Sequence, residues 1–254
     1  MHVQSRNGTF LVFEYMEHDL ADLIDAHYTL HHKSPFRECE VKRLALQLLS
    51  ALSFLHSRYI MHRDIKLSNL LYNHRGHLKL ADFGLARKAC FHPEWDVNLT
   101  LPVVSLWYRS PEILLGSPYY DYGVDNFAAG CAIAELVLGQ PLIKGTSEID
   151  QIAKIFQLLG APTSKSLPRL NQLPNVQNKK VTIPSSSQVI LSSVETLFDR
   201  INVLSSEGIS LISNLLKYDT SKRMKSNEAM ESVYFEQSPL PVDPTLMPKF
   251  PTKY

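Results

Sequence analysis

His62-Arg63-Asp64-Ile65-Lys66-Leu67-Ser68-Asn69 is the stretch on which the reading of this chain turns, because Asp82-Phe83-Gly84 begins twenty residues after His62. Between the two lie Leu70-Leu71-Tyr72 and Leu78-Lys79-Leu80, which flank Asn73-His74-Arg75-Gly76. Apolar runs on either side of an Asn- and Gly-containing tetrapeptide predict a β-hairpin. A hairpin that short brings its two ends together. Asp64 and Asn69 on one loop therefore face Asp82 on its neighbour.

Outward from this centre, most of the signals are helical. Over residues 37–56, Val41, Leu44, Ala45, Leu48, Leu52 and Leu55 recur at helical spacing and predict a long amphipathic helix. Residues 124–138 are apolar nearly all round, as in a buried central helix. Ser147 and Asp150 form a capping pattern for a helix with Ile152, Ile155, Phe156 and Leu159 inside, ended by Gly160 and Pro162. Ile209, Ile212, Leu215 and Leu216 mark a further helix, and Ser226 starts a last short one. Strand signals occur at residues 9–13, as the second arm of a hairpin beginning near Val3, and around the two loops. Residues 161–189 are polar and contain proline, so a surface excursion is expected. The tail from Pro239 carries five prolines and is expected to lie extended on the surface. The βαβα alternation of a doubly wound sheet is missing, which leaves an α+β fold dominated by helices.

The bulk numbers exclude more than they assign. A chain of 254 residues, 44% hydrophobic and 20% charged, can bury a large core. A formal charge of +1 gives no reason to expect a nucleic-acid or membrane-surface partner. The longest apolar run, residues 127–138, is interrupted by Glu135 and is too short to span a bilayer. Cys39, Cys90 and Cys131 fit neither a zinc site nor a disulfide framework, and Met1 is followed by polar residues. A reducing compartment, nucleus or cytoplasm, is expected. His31-His32 lacks ligand partners at suitable spacing and reads as a polar loop.

The loop residues match the needs of phosphoryl transfer to a hydroxyl, which asks for positioning and charge neutralisation rather than covalent work by the protein. Asp82 can hold Mg²⁺ against phosphates, and Asn69 can offer a neutral oxygen to a second Mg²⁺. Asp64 can accept or orient the proton of the attacking hydroxyl. Lys66 can reach the moving phosphate. The bland alternative, that Asp64 and Asp82 merely cap turns, does not explain why they occur in this order with a third motif, Ser110-Pro111-Glu112.

These segments resemble those of the eukaryotic protein kinases. Residues 62–69 are similar to the catalytic loop, with Ile65 where Leu is commoner. Asp82-Phe83-Gly84 resembles the metal-binding loop, and Ser110-Pro111-Glu112 the end of the activation segment, with Ser110 for Ala. Lys66 resembles the serine/threonine class. Leu106-Trp107-Tyr108-Arg109 and the segment Gly145-Thr146-Ser147-Glu148-Ile149-Asp150-Gln151 narrow the likeness to cyclin-dependent kinases. Tyr234-Phe235 through Pro239-Leu240-Pro241 to Phe250-Pro251 is most similar to the PITSLRE and Cdc2-related subgroup. The likeness is weakest over residues 163–205.

The resemblance implies a serine/threonine kinase that uses ATP and Mg²⁺, acts on Ser-Pro or Thr-Pro sites, and takes a cyclin partner. It divides the chain into 1–16 (small-lobe strands and hinge), 17–238 (large lobe) and 239–254 (Pro-rich tail). Phe13 would stand beside the adenine, the backbones of Glu14 and Met16 would bind it, Asp19 would meet the ribose, and Leu71 would line the pocket. Phe13 and Leu71 are equally readable as ordinary core. Thr100 matches an activating phosphosite, its phosphate paired by Arg63 and Arg87; it is also readable as an ordinary exposed threonine. Val103, Val104 and Arg109 match the pocket for a proline after the target residue, and Ser105 would steady Asp64 and Lys66. Glu112 and Arg223 are a structural pair, Asp125 anchors the catalytic loop, and Phe127 replaces a usual tryptophan.

The same resemblance exposes what the sequence lacks. Its ten glycines form no G-x-G-x-x-G, and only Lys33 and Lys42 precede Asp64, neither in a Val-Ala-Ile-Lys context. Two expectations follow: a part of a functional kinase that is weakly active alone, or a non-catalytic kinase-like lobe that serves as an interaction module. An open strand edge and a bared cleft predict poor solubility.

Overall fold

The computed structural model describes residues 2–5, 8–88, 105–184, 193–201 and 203–251, with residues 2–5, 8–10, 200 and 201 at the level of backbone. Thr100, Val103, Val104 and Cys90 lie outside the described residues.

The chain opens on an antiparallel hairpin, β1 (His2–Ser5) and β2 (Gly8–Leu11), in register Val3↔Phe10. A two-residue strand, β3 (His18–Asp19), leads into helix α1 (Leu20–His31). Asp19 caps this helix, its Oδ1 accepting from the Asp22 N–H at 2.9 Å. The sequence reading passed over α1, although Leu20, Leu23 and Ile24 form its buried stripe. His31 is its last residue and His32 its left-handed C-cap (φ 52°), so the His-His pair belongs to a helix end rather than a free loop.

Helix α2 (Glu38–His56) buries the expected stripe of Val41, Leu44, Ala45, Leu48, Leu52 and Leu55. Strand β4 (Ile60–Met61) precedes the catalytic-loop candidate, and β5 (Leu70–Tyr72) pairs with β6 (Leu78–Leu80) as the predicted hairpin, Leu71 opposite Lys79. Strand β3 adds antiparallel to β5, and β7 (Arg87–Lys88) pairs with β4. All of these pairings are antiparallel, in keeping with the α+β expectation.

The short helix α3 (Pro111–Leu114) carries Pro at its start. Helix α4 (Gly123–Leu138) is buried along nearly its whole length and forms the axis of the core. Gly130 is where α4 crosses the helix that carries Leu215: a Cβ there would sit 3.0 Å from Leu215 Cβ. Helix α5 (Glu148–Leu159) begins at Ser147, whose Oγ accepts from the Asp150 N–H at 3.2 Å, and stops at Gly160.

Residues 161–184 are less superficial than expected, since Leu167, Leu170 and Val181 are buried around α6 (Pro174–Gln177). Helix α7 (Val194–Ile201) had no counterpart in the sequence reading; its Val194 and Phe198 enter the core. Helices α8 (Ser206–Leu215) and α9 (Ser226–Met230) complete the bundle. The tail is not simply extended on the surface: Pro244–Leu246 form a 3-10 turn, and Met247 is 3% exposed. Isolated anchors of this kind carry no periodicity, so composition alone does not reveal them.

Candidate active site

The two loops read from the sequence are stitched to each other by backbone. The Ala81 N–H donates to the Asn69 carbonyl at 2.9 Å, and the His62 ring bonds the Ala81 carbonyl through Nε2 at 3.0 Å. Burial is the main force holding the His62 imidazole below its ordinary range, with Asp125, the Ala81 carbonyl, Asp64 and Asp82 opposing it. Phe83 sets its edge against the same ring, centroids 5.0 Å apart.

Asp64 is 5% exposed and lies at the centre of a small network. Its Oδ2 accepts from Lys66 Nζ at 2.8 Å and Asn69 Nδ2 at 3.0 Å, and its Oδ1 accepts from Ser105 Oγ at 3.1 Å. Burial alone would raise its pKa. The bonds from Lys66, Asn69 and Ser105 outweigh burial and hold the carboxyl below the usual range, so it is ionised at neutral pH. Asn69 spends Nδ2 on both Asp64 Oδ2 and the Asp64 carbonyl (2.8 Å), which turns its amide oxygen the other way. Asp82 sits at φ 61°, in the left-handed region, with its Oδ1 accepting from the Gly84 N–H at 3.2 Å. Backbone conformations of that kind cost roughly 1–3 kcal/mol and cluster at functional sites.

Arg63 is also left-handed, at φ 66°, and Asp125 on α4 supports it. The Asp125 carboxylate accepts from the backbone N–H of His62 (2.9 Å) and Arg63 (2.8 Å), and His56 Nε2 bonds it at 2.9 Å. His56 had no assigned part in the sequence reading; its only signal was its position at the end of α2. The Arg63 guanidinium is 3% exposed as a residue and is engaged by the Leu85 carbonyl (2.7 Å) and Tyr120 Oη (2.6 Å). Arg87 lies in β7, opposite Met61.

The third group of motifs is tied together physically. Trp107 Nε1 donates to the Gly145 carbonyl at 3.0 Å, and Gln151 bridges the two, donating to the Trp107 carbonyl and accepting from the Gly145 N–H. Gly145 is required there, because a Cβ would lie 2.4 Å from Gln151 Oε1. Arg109 pairs with Glu148, a partner the sequence reading did not single out. Arg223 meets Glu112 through two bonds, at 2.7 and 2.9 Å. Ser110, where the family usually has Ala, buries an Oγ that has no partner among the described residues.

Tyr108 Oη donates to Glu135 Oε2 at 2.6 Å, linking this segment to α4. Burial pushes the Glu135 carboxyl up to about 7 from 4.5; Asp25 adds to the rise, and the Tyr108 bond and Lys144 oppose it. A carboxyl raised in the folded state keeps a proton that the unfolded chain releases. Stability should therefore fall by about 3 kcal/mol as pH rises from about 4.5 to about 7. Urea titrations of the parent and Glu135→Gln chains at pH 5 and pH 7.5 check this, with the loss of unfolding free energy between the two pH values expected to shrink by about that amount in the variant.

The nucleotide-side candidates are more scattered. Phe13 is 79% exposed among the described residues, whereas Leu71 is half-buried opposite Asp19 in the β3–β5 pairing. Met16 is half-buried, and the Glu14 carboxylate lies 3.4 Å from Lys79 Nζ. The Asp82 carboxylate and the Asn69 amide are hard oxygen donors of the kind Mg²⁺ selects.

The protein kinase domain profile matches residues 2–235. The chain is 43% identical to the probable cyclin-dependent kinase 10 of Dictyostelium discoideum over 96% of its length, and 43% identical to the serine/threonine-protein kinase ppk23 of Schizosaccharomyces pombe, also over 96%. It is 41% identical to the cyclin-dependent kinase 11B of Mus musculus over 96%. It spans 62%, 58% and 29% of those relatives' own lengths, less than two thirds in each case. Among solved structures, the yeast RNA Pol II CTD kinase CTDK-1 complex contains a chain that superposes with a TM-score of 0.84 at 35% identity, covering 96% of this chain and 76% of that one. The CAK complex of Chaetomium thermophilum bound to ATP-gamma-S gives a TM-score of 0.86 at 30% identity, covering 99% and 75%. With the kinase profile spanning residues 2–235 and relatives named as cyclin-dependent kinases at 41–43% identity, the chain belongs to the protein kinase family.

Proposed function

We propose that this protein serves the transfer of the ATP γ-phosphoryl group to a serine or threonine hydroxyl followed by proline. The observation that carries the reading is the network at Asp64: an ionised carboxylate held by Lys66, Asn69 and Ser105 beside a loop that presents Asp82. Asp64 orients the attacking hydroxyl and takes its proton. Lys66 offers positive charge beside that carboxylate. Asn69 and Asp82 would hold Mg²⁺, which when bound neutralises phosphate charge. Arg109, Val103 and Val104 are assigned to the proline pocket, and Thr100 to activation through Arg63 and Arg87. The names of the cyclin-dependent relatives support a cyclin partner; action in the nucleus or cytoplasm is part of the same proposal.

Turnover by the 254-residue chain alone is expected to be slow, well below the roughly 1–100 s⁻¹ of kinases. Neither lysine before Asp64 has the context of an ATP-clamping lysine. Lys42 is wholly buried, with its Nζ on the Gln237 carbonyl at 2.9 Å. The test is radiolabelled ATP with a Ser-Pro peptide, its Ser-Ala counterpart, and the Asp82→Asn chain. Slow transfer that prefers Ser-Pro and disappears with Asp82→Asn is expected. Transfer indifferent to Asp82 would overturn the reading, and fast transfer would overturn the expectation of weakness.

A further inference from the structure

The tail crosses the back of the molecule through a series of specific contacts. The Val242 N–H donates to the Cys39 carbonyl at 3.1 Å, and the Arg43 guanidinium donates to the Val242 carbonyl. Asp243 caps the 3-10 turn, its Oδ1 accepting from the Thr245 N–H at 2.9 Å. The turn presses on Gly76 of the β5–β6 hairpin so closely that a Cβ there would lie 2.1 Å from the Pro244 carbonyl oxygen and 2.7 Å from Met247 Cβ. Gly76 also has φ +75°, so both space and backbone demand glycine. Tyr72 Oη then donates to the Pro248 carbonyl at 2.6 Å.

The last contact is the one with consequences. The Phe250 ring meets Phe36, Tyr72 and His18 edge-on, with centroids 5.8, 6.0 and 6.2 Å away. His18 and Tyr72 are opposite each other in the β3–β5 pairing, and the next opposed pair is Asp19 with Leu71. Both of those are nucleotide candidates. Strand β3 is only two residues long, and a ladder that short is poorly ordered by its hydrogen bonds alone. Packing must hold it, and Phe250 supplies that packing to both members of the outer pair.

We propose that residues 241–250 form a strap that sets the nucleotide-facing edge of the cleft, with Phe250 as a positioning residue for the adenine and ribose side. The nucleotide part rests on the function proposed above. The test uses the full chain with Phe250→Ala, the conservative Phe250→Leu, and a control, Phe156→Ala, on the buried face of α5.

Amide exchange read by mass spectrometry on peptides spanning 16–20 and 70–73 is expected to quicken about tenfold in Phe250→Ala, as local opening becomes easier. Phe250→Leu should recover part of the protection, and α5 and α8 should keep theirs. Phe156→Ala should leave the β3–β5 peptides unchanged. The dissociation constant for ADP with Mg²⁺, measured by titration calorimetry, should weaken several-fold in Phe250→Ala and not in the control.

Unchanged exchange at β3–β5, equal acceleration across the chain, or the same change in the control would overturn the strap. A loosened edge with unaltered ADP binding would overturn the positioning role. If the parent chain binds no ADP, the kinase reading fails, and the exchange experiment still decides the strap.

Discussion

Glu112→Ala is expected to destabilise the protein by about 3–5 kcal/mol, because it strands a cation in the core. The Arg223 side chain is wholly buried and that of Glu112 is 6% exposed. The remaining guanidinium donors are already committed: Nη1 to the Gly123 carbonyl at 2.8 Å, Nε to the Lys217 carbonyl at 2.8 Å, and Nη2 to the Tyr218 carbonyl at 3.3 Å. Phe127 faces the same group at 5.2 Å. Domains of this kind have about 5–15 kcal/mol in total, so the loss would consume much of the stability. The double change Glu112→Leu, Arg223→Met removes both charges and should recover most of it, since apolar replacements of buried pairs are often neutral or better. Urea midpoints of the single and double variants decide the matter. Equal midpoints would mean that the pair is not what holds the two segments.

Asp64→Asn should lower the turnover number by about 10²–10⁴ while leaving the KM for ATP nearly unchanged, the signature of a group that acts on the proton in transit. The asparagine keeps the shape and the bond to Ser105 but loses the negative charge that Lys66 answers at 2.8 Å. Because the Lys66, Asn69 and Ser105 bonds hold the parent carboxyl below the usual range, its ionisation is complete above that range. Any contribution to stability or rate is lost only as pH falls through the lowered value. A pH profile that is flat near neutrality and falls only in acid is therefore expected. A variant with parental turnover would sink the assignment of Asp64.

The legible parts of this fold were those with strong local signals. Helix α2 declares itself through six apolar residues at helical spacing, and α5 through Ser147 at one end and Gly160 at the other. The β5–β6 hairpin follows from Leu70-Leu71-Tyr72 and Leu78-Lys79-Leu80 around a turn. Helices α1 and α7 were missed for different reasons. Residues 20–31 carry only three buried positions and follow a polar stretch, while residues 194–201 follow a polar, proline-containing segment whose composition reads as loop. The tail was misjudged because Met247 and Phe250 are single anchors in a proline-rich run.

The amino-acid order by itself determined which chemistry is available: two carboxylates, an amide and a lysine at spacings that a short hairpin must bring side by side. That much is local, since turns and short strands are decided by neighbours in the chain. Tertiary structure alone decided the partners that hold those groups in place. Asp125 reaches the backbone of residues 62 and 63 from across 63 and 62 positions, Ser105 meets Asp64 across 41, and Arg223 finds Glu112 across 111. Such pairs follow from which faces of distant helices are buried together, and burial is a property of the whole packed chain rather than of any stretch of it.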